Sequence, residues 1–368
     1  MSVLMSLTPI HVHMDADPKR FRLKSDFIHK SHIEKIPGAI FKGRGSDYWH
    51  LPKTYASLIV LTNLFKGSLV LDDDVSKWAS DEWTNRIGPA YDLRNGLIDK
   101  ELVDKVITIT PGIYVPKDYQ VAGALYLATA RNAFLFDEMG NGKTLTTGMA
   151  LRLYPDTLPA LVVCPKSVLY TWKKELGYLG INSIVLDQIP AKRKQILENY
   201  DPEETPVIIT SYKILTAHTR ISGYGNITLS DKDKQKKEFN HIQFNTIIVD
   251  ECHKIKDPTS QQTRAVWAVS ESCQYRFGLT GTPIESDVLD FYFLLRWIAP
   301  DEFPSRVRAQ DRYIDFETDW FGDITINGLL PETKAEFEQI TQWHWRRQLK
   351  PDYLPGKEFE YRYCELAP

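Results

Sequence analysis

Three consecutive stretches decide the fold: Ala133-Phe-Leu-Phe136, Asp137-Glu-Met-Gly-Asn-Gly-Lys-Thr144 and Leu145-Thr-Thr-Gly-Met-Ala-Leu151. An apolar run, a glycine loop and a helix-compatible segment follow one another. That is the strand–loop–helix order of a phosphate-binding loop. Gly140 and Gly142 let backbone N–H groups close round phosphate oxygens, and the helix N-terminus adds its partial positive charge. Lys143 is placed to reach the β- and γ-phosphates, and the Thr144 hydroxyl to ligate Mg²⁺. Asp137 stands where the general pattern has its first glycine.

The second half of a nucleotide site lies a hundred residues on. Thr246-Ile-Ile-Val-Asp-Glu-Cys-His253 is a continuous apolar run that ends in two carboxylates and a histidine. Unbroken apolarity predicts a strand buried on both faces of a parallel sheet. Asp250, at its carboxyl end, is placed to hold Mg²⁺ directly or through water. Glu251 is placed to orient and deprotonate an attacking water. Further apolar runs at 133–136, 160–164, 207–210 and 275–279 alternate with helical stretches. Five strands with crossover helices predict an α/β lobe, a mostly parallel sheet with helices on both faces. Every motif then falls at a strand's carboxyl end, where open α/β sheets bind ligands.

Composition agrees with such a chain. At 368 residues and 42.4 kDa it exceeds a typical single domain, and its 43% hydrophobic content supports a substantial core. Cys164, Cys252, Cys273 and Cys364 show no Cys-x-x-Cys spacing, so reduced thiols are expected rather than zinc or disulfides. No window approaches the ~20 apolar residues of a membrane span, and the first residues show neither a basic n-region nor a cleavage site. The expectation is a protein without a membrane partner, cytoplasmic, nucleoid-associated if bacterial or from a phage and nuclear if eukaryotic. The net charge of −3 gives no global basic footprint, so contact with nucleic acid must come from local patches.

One such patch opens the chain. Residues 18–53 carry nine Lys or Arg against three acids, and residues 71–104 reverse the balance with nine acids against four basic residues. A strand at 21–23, a helix at 26–35, a turn at Pro37-Gly38, a hairpin around Gly43-Arg-Gly45 and a helix at 55–65 are expected. The expected organisation is a small basic α+β domain over 1–68, an acidic, mostly helical connector over 69–110, and the nucleotide-binding lobe over 111–368. His11-Val-His13-Met-Asp15 has metal-ligand spacing on one face of a strand but lacks further partners. The charge run at 232–237 reads as a solvated insertion in the lobe.

Asp137-Glu-Met-Gly-Asn-Gly-Lys-Thr144, Asp250-Glu-Cys-His253 and Leu279-Thr-Gly-Thr-Pro283 together resemble the first lobe of Swi/Snf-type ATPases, within the helicase superfamily two translocases. Further segments match in order. Pro116-Lys-Asp-Tyr-Gln120 resembles the family's upstream Gln motif, which implies adenine contact by Gln120. Leu161-Val-Val-Cys-Pro-Lys-Ser-Val168 with Trp172 resembles motif Ia, and Ile208-Ile-Thr-Ser-Tyr212 resembles motif Ib. Trp345-Arg-Arg-Gln-Leu-Lys350 and Leu354-Pro-Gly-Lys357 resemble the closing segment. Asn141 stands where the family usually has Leu, Cys252 replaces Ala, and Glu285-Ser286 replaces Gln-Asn; no charged catalytic group is lost. Ile36-Pro-Gly-Ala39, Trp49 and Pro52 are similar to the small HepA-related domain of annealing-helicase relatives, the alternative being a structural cap with a solvated basic face.

The resemblance implies a RecA-like P-loop lobe that takes ATP and Mg²⁺. It implies catalytic Lys143, Asp250 and Glu251, with nucleotide held by Gln120, Asp137, Gly140, Asn141, Gly142, Lys143 and Thr144, and metal by Thr144 and Asp250. Lys166, Ser167 and Ser211 would touch the phosphate backbone of DNA, double-stranded or branched, without reading its sequence. Lys19, Arg20, Arg22 and Lys24 are the N-terminal candidates for DNA contact. Thr280 and Thr282 would couple nucleotide state to DNA. The expected function is an ATP-dependent DNA translocase or remodelling helicase that needs a second RecA-like lobe, in cis or in trans. The alternatives are an ATP-switched DNA-binding module without motor activity, and an RNA helicase, which Lys254-Ile-Lys256 disfavours.

Overall fold

The structure is a computed structural model that describes residues 9–25, 27–42, 48–109, 115–219, 237–282, 288–318, 320 and 324–349. The hairpin tip at 43–45, most of the 232–237 charge run, Glu285-Ser286, the 354–357 segment and Cys364 lie outside them.

Two sheets organise the chain. The first takes β1 (Ile10–Met14), β2 (Arg20–Leu23), β3 (Ile40–Phe41), β4 (Trp49–Pro52) and β5 (Leu69–Leu71), in the order β3-β4-β2-β1-β5. The larger contains β6 (Asn132–Leu135), β7 (Ala160–Cys164), β8 (Ser183–Val185), β9 (Val207–Ser211), β10 (Thr246–Asp250) and β11 (Tyr275–Leu279). A two-stranded hairpin, β12 (Ile314–Thr318) with β13 (Ile324–Leu329), precedes the last member, β14 (Trp345–Arg346). The large sheet runs β14-β6-β11-β10-β7-β9-β8 with every pair parallel.

Alternation along these strands feeds two cores. Phe134, Leu161, Val163, Ile208, Ile247 and Val249 join one, while Leu135, Val162, Cys164, Ile209, Ile248 and Phe277 join the other. Successive side chains of a strand point to opposite faces, so a fully apolar strand needs cover on both sides. Helices Asp118–Ala130, Lys143–Leu153 and Leu169–Tyr178 supply residues to the second core, and Gln261–Ser270 and Val288–Ile298 to the first. The five strands expected from the sequence are present, each within a residue of its expected ends. The two additional strands, β8 and β14, are short and lie at the sheet's two edges.

The N-terminal sheet shares the first core with the lobe, through Val12, Phe21, Leu23 and Leu51. Its expected boundary at 68 is crossed, because β5 at 69–71 pairs in parallel with β1. The helix expected over 26–35 is shorter, a 3-10 turn at Phe27–His29 and a single turn at Lys30–Ile33 that has no side-chain N-cap. Helix Tyr55–Phe65 runs as expected, with Thr54 Oγ1 accepting from Ser57 N–H at 3.1 Å. Gly38, at φ +81°, sits where a Cβ would come within 2.6 Å of Pro52 and 2.8 Å of Pro304, so the turn contacts both parts of the molecule. Glu336 forms the polar seam. It accepts from Arg312 at 2.8 and 2.9 Å, from Tyr313 Oη at 2.9 Å and from Asn63 Nδ2 at 3.4 Å.

His11, His13 and Asp15 do not form one cluster. His11 and His13 face Asp72, whereas Asp15 pairs with His50. Among the described residues no group of three or more His, Cys, Asp or Glu side chains is placed to hold a metal ion. Cys164, Cys252 and Cys273 are buried free thiols. Among the described residues no helix is long and apolar enough to cross a membrane.

Candidate functional site: a phosphate loop at the carboxyl edge of the sheet

The loop leaves β6 and enters helix Lys143–Leu153 through Gly142, which is left-handed at φ +75° and ψ +39°. Gly140 is also left-handed, at φ +93°, and a Cβ there would meet nothing within 4 Å. A side chain at Gly142 would instead strike Gln120 Nε2 at 2.4 Å. Gln120 is buried; its Oε1 accepts from Lys117 N–H at 2.9 Å and its Nε2 donates to Asn141 O at 3.0 Å. It therefore braces the loop from behind. Lys143 Nζ donates to Asp137 O at 2.8 Å and Glu138 O at 3.3 Å. Burial lowers the Lys143 pKa, against the opposing pull of Asp137, Glu251 and Asp250.

The carboxylate pair is held by residues from other motifs. Asp250 Oδ2 accepts from the indole N–H of Trp172 at 2.9 Å, and Oδ1 from Glu251 N–H at 3.1 Å. Burial raises the Asp250 pKa and Glu251 adds to the rise, with Trp172 and Lys143 opposing. Glu251 sits at φ +55°, ψ +53°, a left-handed conformation unusual for a non-glycine residue and costly unless its surroundings enforce it. Thr280 Oγ1 donates to Glu251 Oε2 at 3.1 Å, and His253 Nδ1 lies 3.3 Å from the same oxygen. Tyr212 Oη donates to the carbonyls of Asp250 and Glu251, at 2.5 and 3.3 Å.

The turn after β11 completes the edge. A Cβ on Gly281 would lie 2.7 Å from Met139 Cγ and 3.2 Å from Lys143 Nζ. The Thr280-Gly281 step thus touches the Glu251 carboxylate on one side and the phosphate loop on the other. Thr280 is fully buried, and Thr282 is exposed. Thr144 is half-buried at the second position of the helix. Asn141 Oδ1 is buried without a hydrogen-bond partner.

The nucleic-acid candidates differ among themselves. Lys166 and Ser167 are exposed on the turn after β7. Ser211 is buried, and its Oγ caps helix Tyr212–Ala217 by accepting from Ile214 N–H at 3.4 Å. Lys19, Arg22 and Lys24 are exposed. Arg20 is partly buried, 3.6 Å from Asp17 and bonded to Gly38 O at 3.4 Å. Sequence reasoning missed the bonds made by Trp172, Tyr212, His253 and Arg346. Trp172 was visible only as part of motif Ia, and spacing cannot show where an indole N–H points.

Loop, carboxylate pair and parallel strand order define a RecA-like P-loop lobe. A family model described as the SNF2-related domain matches residues 71–368, and the chain belongs to that family. Chromatin-remodeling ATPase INO80 of Lodderomyces elongisporus is 29% identical over 247 residues, 62% of this chain and 14% of its own length. Protein CHROMATIN REMODELING 19 of Arabidopsis thaliana is 30% identical over 203 residues, 51% of this chain and 25% of its own length. DNA excision repair protein ERCC-6-like 2 of Mus musculus is 27% identical over 289 residues, 68% of this chain and 18% of its own. The chain therefore spans a quarter or less of the length of these relatives. Among solved structures, the Sulfolobus solfataricus SWI2/SNF2 ATPase core in complex with dsDNA is 25% identical with a TM-score of 0.48, over 64% of this chain and 44% of that one.

Proposed function

We propose that this chain carries the ATP-binding lobe of an ATP-dependent DNA translocase or remodeller, joined to an N-terminal basic domain that binds DNA. The observation that carries the reading is the meeting of four segments, at 137–144, 250–253, 280–281 and Trp172, at one edge of the sheet. There Trp172 and Thr280 hold the carboxylates of Asp250 and Glu251, and Gly281 lies against Met139 and Lys143.

The residues fit ATP and Mg²⁺. Two left-handed glycines shape the loop, and Gly140 at φ +93° takes a conformation that favours glycine. Thr144 and Asp250 would hold Mg²⁺, which supplies neutralising charge to the phosphate oxygens. Lys143 leaves the Asp137 and Glu138 carbonyls to meet those oxygens. Glu251, with Oε2 fixed by Thr280 and His253, orients the attacking water and takes its proton. Gln120 sets the rear of the loop and, on this reading, meets adenine.

Lys166 and Ser167 contact the DNA backbone, Ser211 supports that surface as a cap, and Thr280 and Thr282 relay the state of Glu251. A second RecA-like lobe, later in the polypeptide or in another chain, supplies the arginine that completes the γ-phosphate site. The test is ATP turnover by residues 1–368, with and without duplex or forked DNA, alone and with a second lobe. A trans-supplied arginine contributes on the order of 10³–10⁵ in rate, so the lobe alone should hydrolyse ATP near background. Robust DNA-stimulated turnover by the lobe alone would refute the two-lobe requirement. Loss of nucleotide binding altogether would refute the ATP site.

A further inference from the structure

The last described strand does more than close the sheet edge. β14 pairs with β6 and then continues beside the phosphate loop. Phe136 N–H donates to Arg346 O at 2.8 Å, and Glu138 N–H to Gln348 O at 3.0 Å. Side chains add to this ladder. Asn141 Nδ2 donates to Gln348 O at 2.9 Å, and Gln348 N–H donates to Asp137 Oδ1 at 2.8 Å. The Arg346 guanidinium faces Asp137 Oδ2 at 3.3 Å and donates to Tyr119 O at 2.8 Å. Arg346 is 2% exposed and Asp137 fully buried. Gly123 makes the room, since a Cβ there would lie 2.5 Å from Arg346 Nη1.

These ties grip the residues that Lys143 grips from the other side. Its ammonium bonds the carbonyls of Asp137 and Glu138, while the strand holds the Asp137 carboxylate and the Glu138 N–H. Were Lys143 to turn to phosphate oxygens, the strand would still hold the Glu138 N–H and the Asp137 carboxylate, while Asn141 N–H holds the Glu138 carbonyl at 3.3 Å. We propose that residues 345–348 form a nucleotide-responsive strap, a positioning element that holds the phosphate loop in its binding shape through Asn141 and Arg346. The proposal rests on the reading of the loop as an ATP site. Asn141 Nδ2 is a side-chain donor of this ladder, and a Leu of similar size could not donate to Gln348 O.

A ligand that binds only the strapped loop must, by linkage, also stabilise the strap. Hydrogen exchange at Glu138 and Gln348 tests this in the full 368-residue chain. Without nucleotide, Asn141→Leu should speed exchange at both amides about 2- to 10-fold, the loss of one net hydrogen bond. With Mg²⁺ and adenylyl imidodiphosphate at a hundredfold excess over Kd, exchange in the wild type should slow by on the order of 100-fold. The analogue should bind Asn141→Leu about 2- to 10-fold more weakly. Arg346→Lys keeps the charge opposite Asp137 but loses the planar fork to Tyr119 O, and should loosen the same amides. If that variant fails to fold, Asn141→Leu decides the matter. Protection confined to residues 142–145, with Gln348 unchanged, overturns the strap and leaves the ATP site standing. Failure to bind the analogue defeats the ATP reading and with it the response to nucleotide, whereas normal binding with amide exchange unchanged by Asn141→Leu overturns the strap alone.

Discussion

The two sheets treat charge in opposite ways. At the carboxyl edge of the seven-stranded sheet, Asp137, Lys143 and Asp250 are withdrawn from water, and burial shifts the pKa of each toward its neutral form. Their partners come from distant segments: Arg346, Trp172 and the turn after β11. On the five-stranded sheet the Asp15 side chain is buried against His50, but the lysines and arginines stay near water or pair with neighbours. Lys19, Arg22 and Lys24 are exposed, Arg20 meets Asp17 three residues away, and Lys30 meets Glu34 four residues on. Buried charges cluster at functional sites when, as here, they stand at the ligand-binding edge of an α/β sheet; buried pairs elsewhere, such as Arg312 with Glu336, are structural. Charges left in solvent act only when a partner arrives.

The largest effect expected from this contrast lies in the buried edge. Glu251→Gln keeps the shape of the side chain but removes the base, and general-base catalysis is typically worth about 10²–10⁴ in rate. With a second lobe present, turnover should fall by that factor while nucleotide affinity holds. Lys143→Ala should instead abolish binding, because it removes the cation aimed at the β- and γ-phosphates. Titration with a fluorescent ATP analogue separates the two. Equal loss of affinity in both variants would break the division of labour between them.

The seam between the regions comes next. Arg312 and Glu336 are each about 7% exposed and joined by two hydrogen bonds, and Glu336 also accepts from Tyr313 and Asn63. Removing one partner of a buried pair strands the other, at about 3–5 kcal/mol. Glu336→Gln should therefore lower the thermal midpoint by several degrees. Lys30→Ala, which breaks an exposed pair, should change stability by less than about 1 kcal/mol. Similar shifts in the two variants, measured by calorimetry, would show that the seam is no more buried than the surface.

Trp172→Phe sharpens the account of Asp250. It retains an aromatic ring but removes the N–H that bonds Oδ2 at 2.9 Å. A buried acceptor left without its donor costs about 1–3 kcal/mol. The freed carboxylate should hold Mg²⁺ less well, so the Mg²⁺ concentration needed for half-maximal nucleotide binding should rise about 5- to 100-fold. Binding in the absence of Mg²⁺ should barely change. A loss equal with and without Mg²⁺ would assign Trp172 to packing alone.

Much of this was legible because the lobe writes its chemistry in short contiguous runs. A strand buried on both faces must be apolar almost throughout, so 160–164 and 246–249 declare themselves, and the site candidates follow at the carboxyl ends of such strands. β8 and β14 were hidden, since three or two residues on a sheet edge carry no periodicity of their own. The bonds Trp172–Asp250 and Arg346–Asp137 join residues 78 and 209 positions apart, and no local pattern encodes such pairs. Glu251's left-handed backbone was equally invisible, because that conformation is unusual for a non-glycine residue and is enforced by tertiary contacts. The helix expected over 26–35 is realised only as two short turns: no side chain caps the turn at Lys30–Ile33, and Pro37 follows closely.

The smallest effect belongs to the N-terminal basic cluster, and it tests the other half of the contrast. Lys19, Arg22 and Lys24 reach solvent, and Arg22 also lies over the Tyr48 ring at 5.3 Å. Arg20 is already committed to Asp17 and Gly38, so its charge is partly spent inside the domain. Changing Lys19, Arg22 and Lys24 to Gln should weaken DNA binding without touching ATP affinity. Every phosphate left without its cation should flatten the log–log salt slope by about 0.9 on duplex DNA, so the triple change is bounded at about 2.7. Arg20→Gln alone should flatten it less than any one of the three and should loosen the Pro37-Gly38 turn. Affinity and slope that ignore all four changes would leave this sheet as a structural cap. A slope that moves most with Arg20→Gln would mean that DNA releases the Asp17 pair on binding.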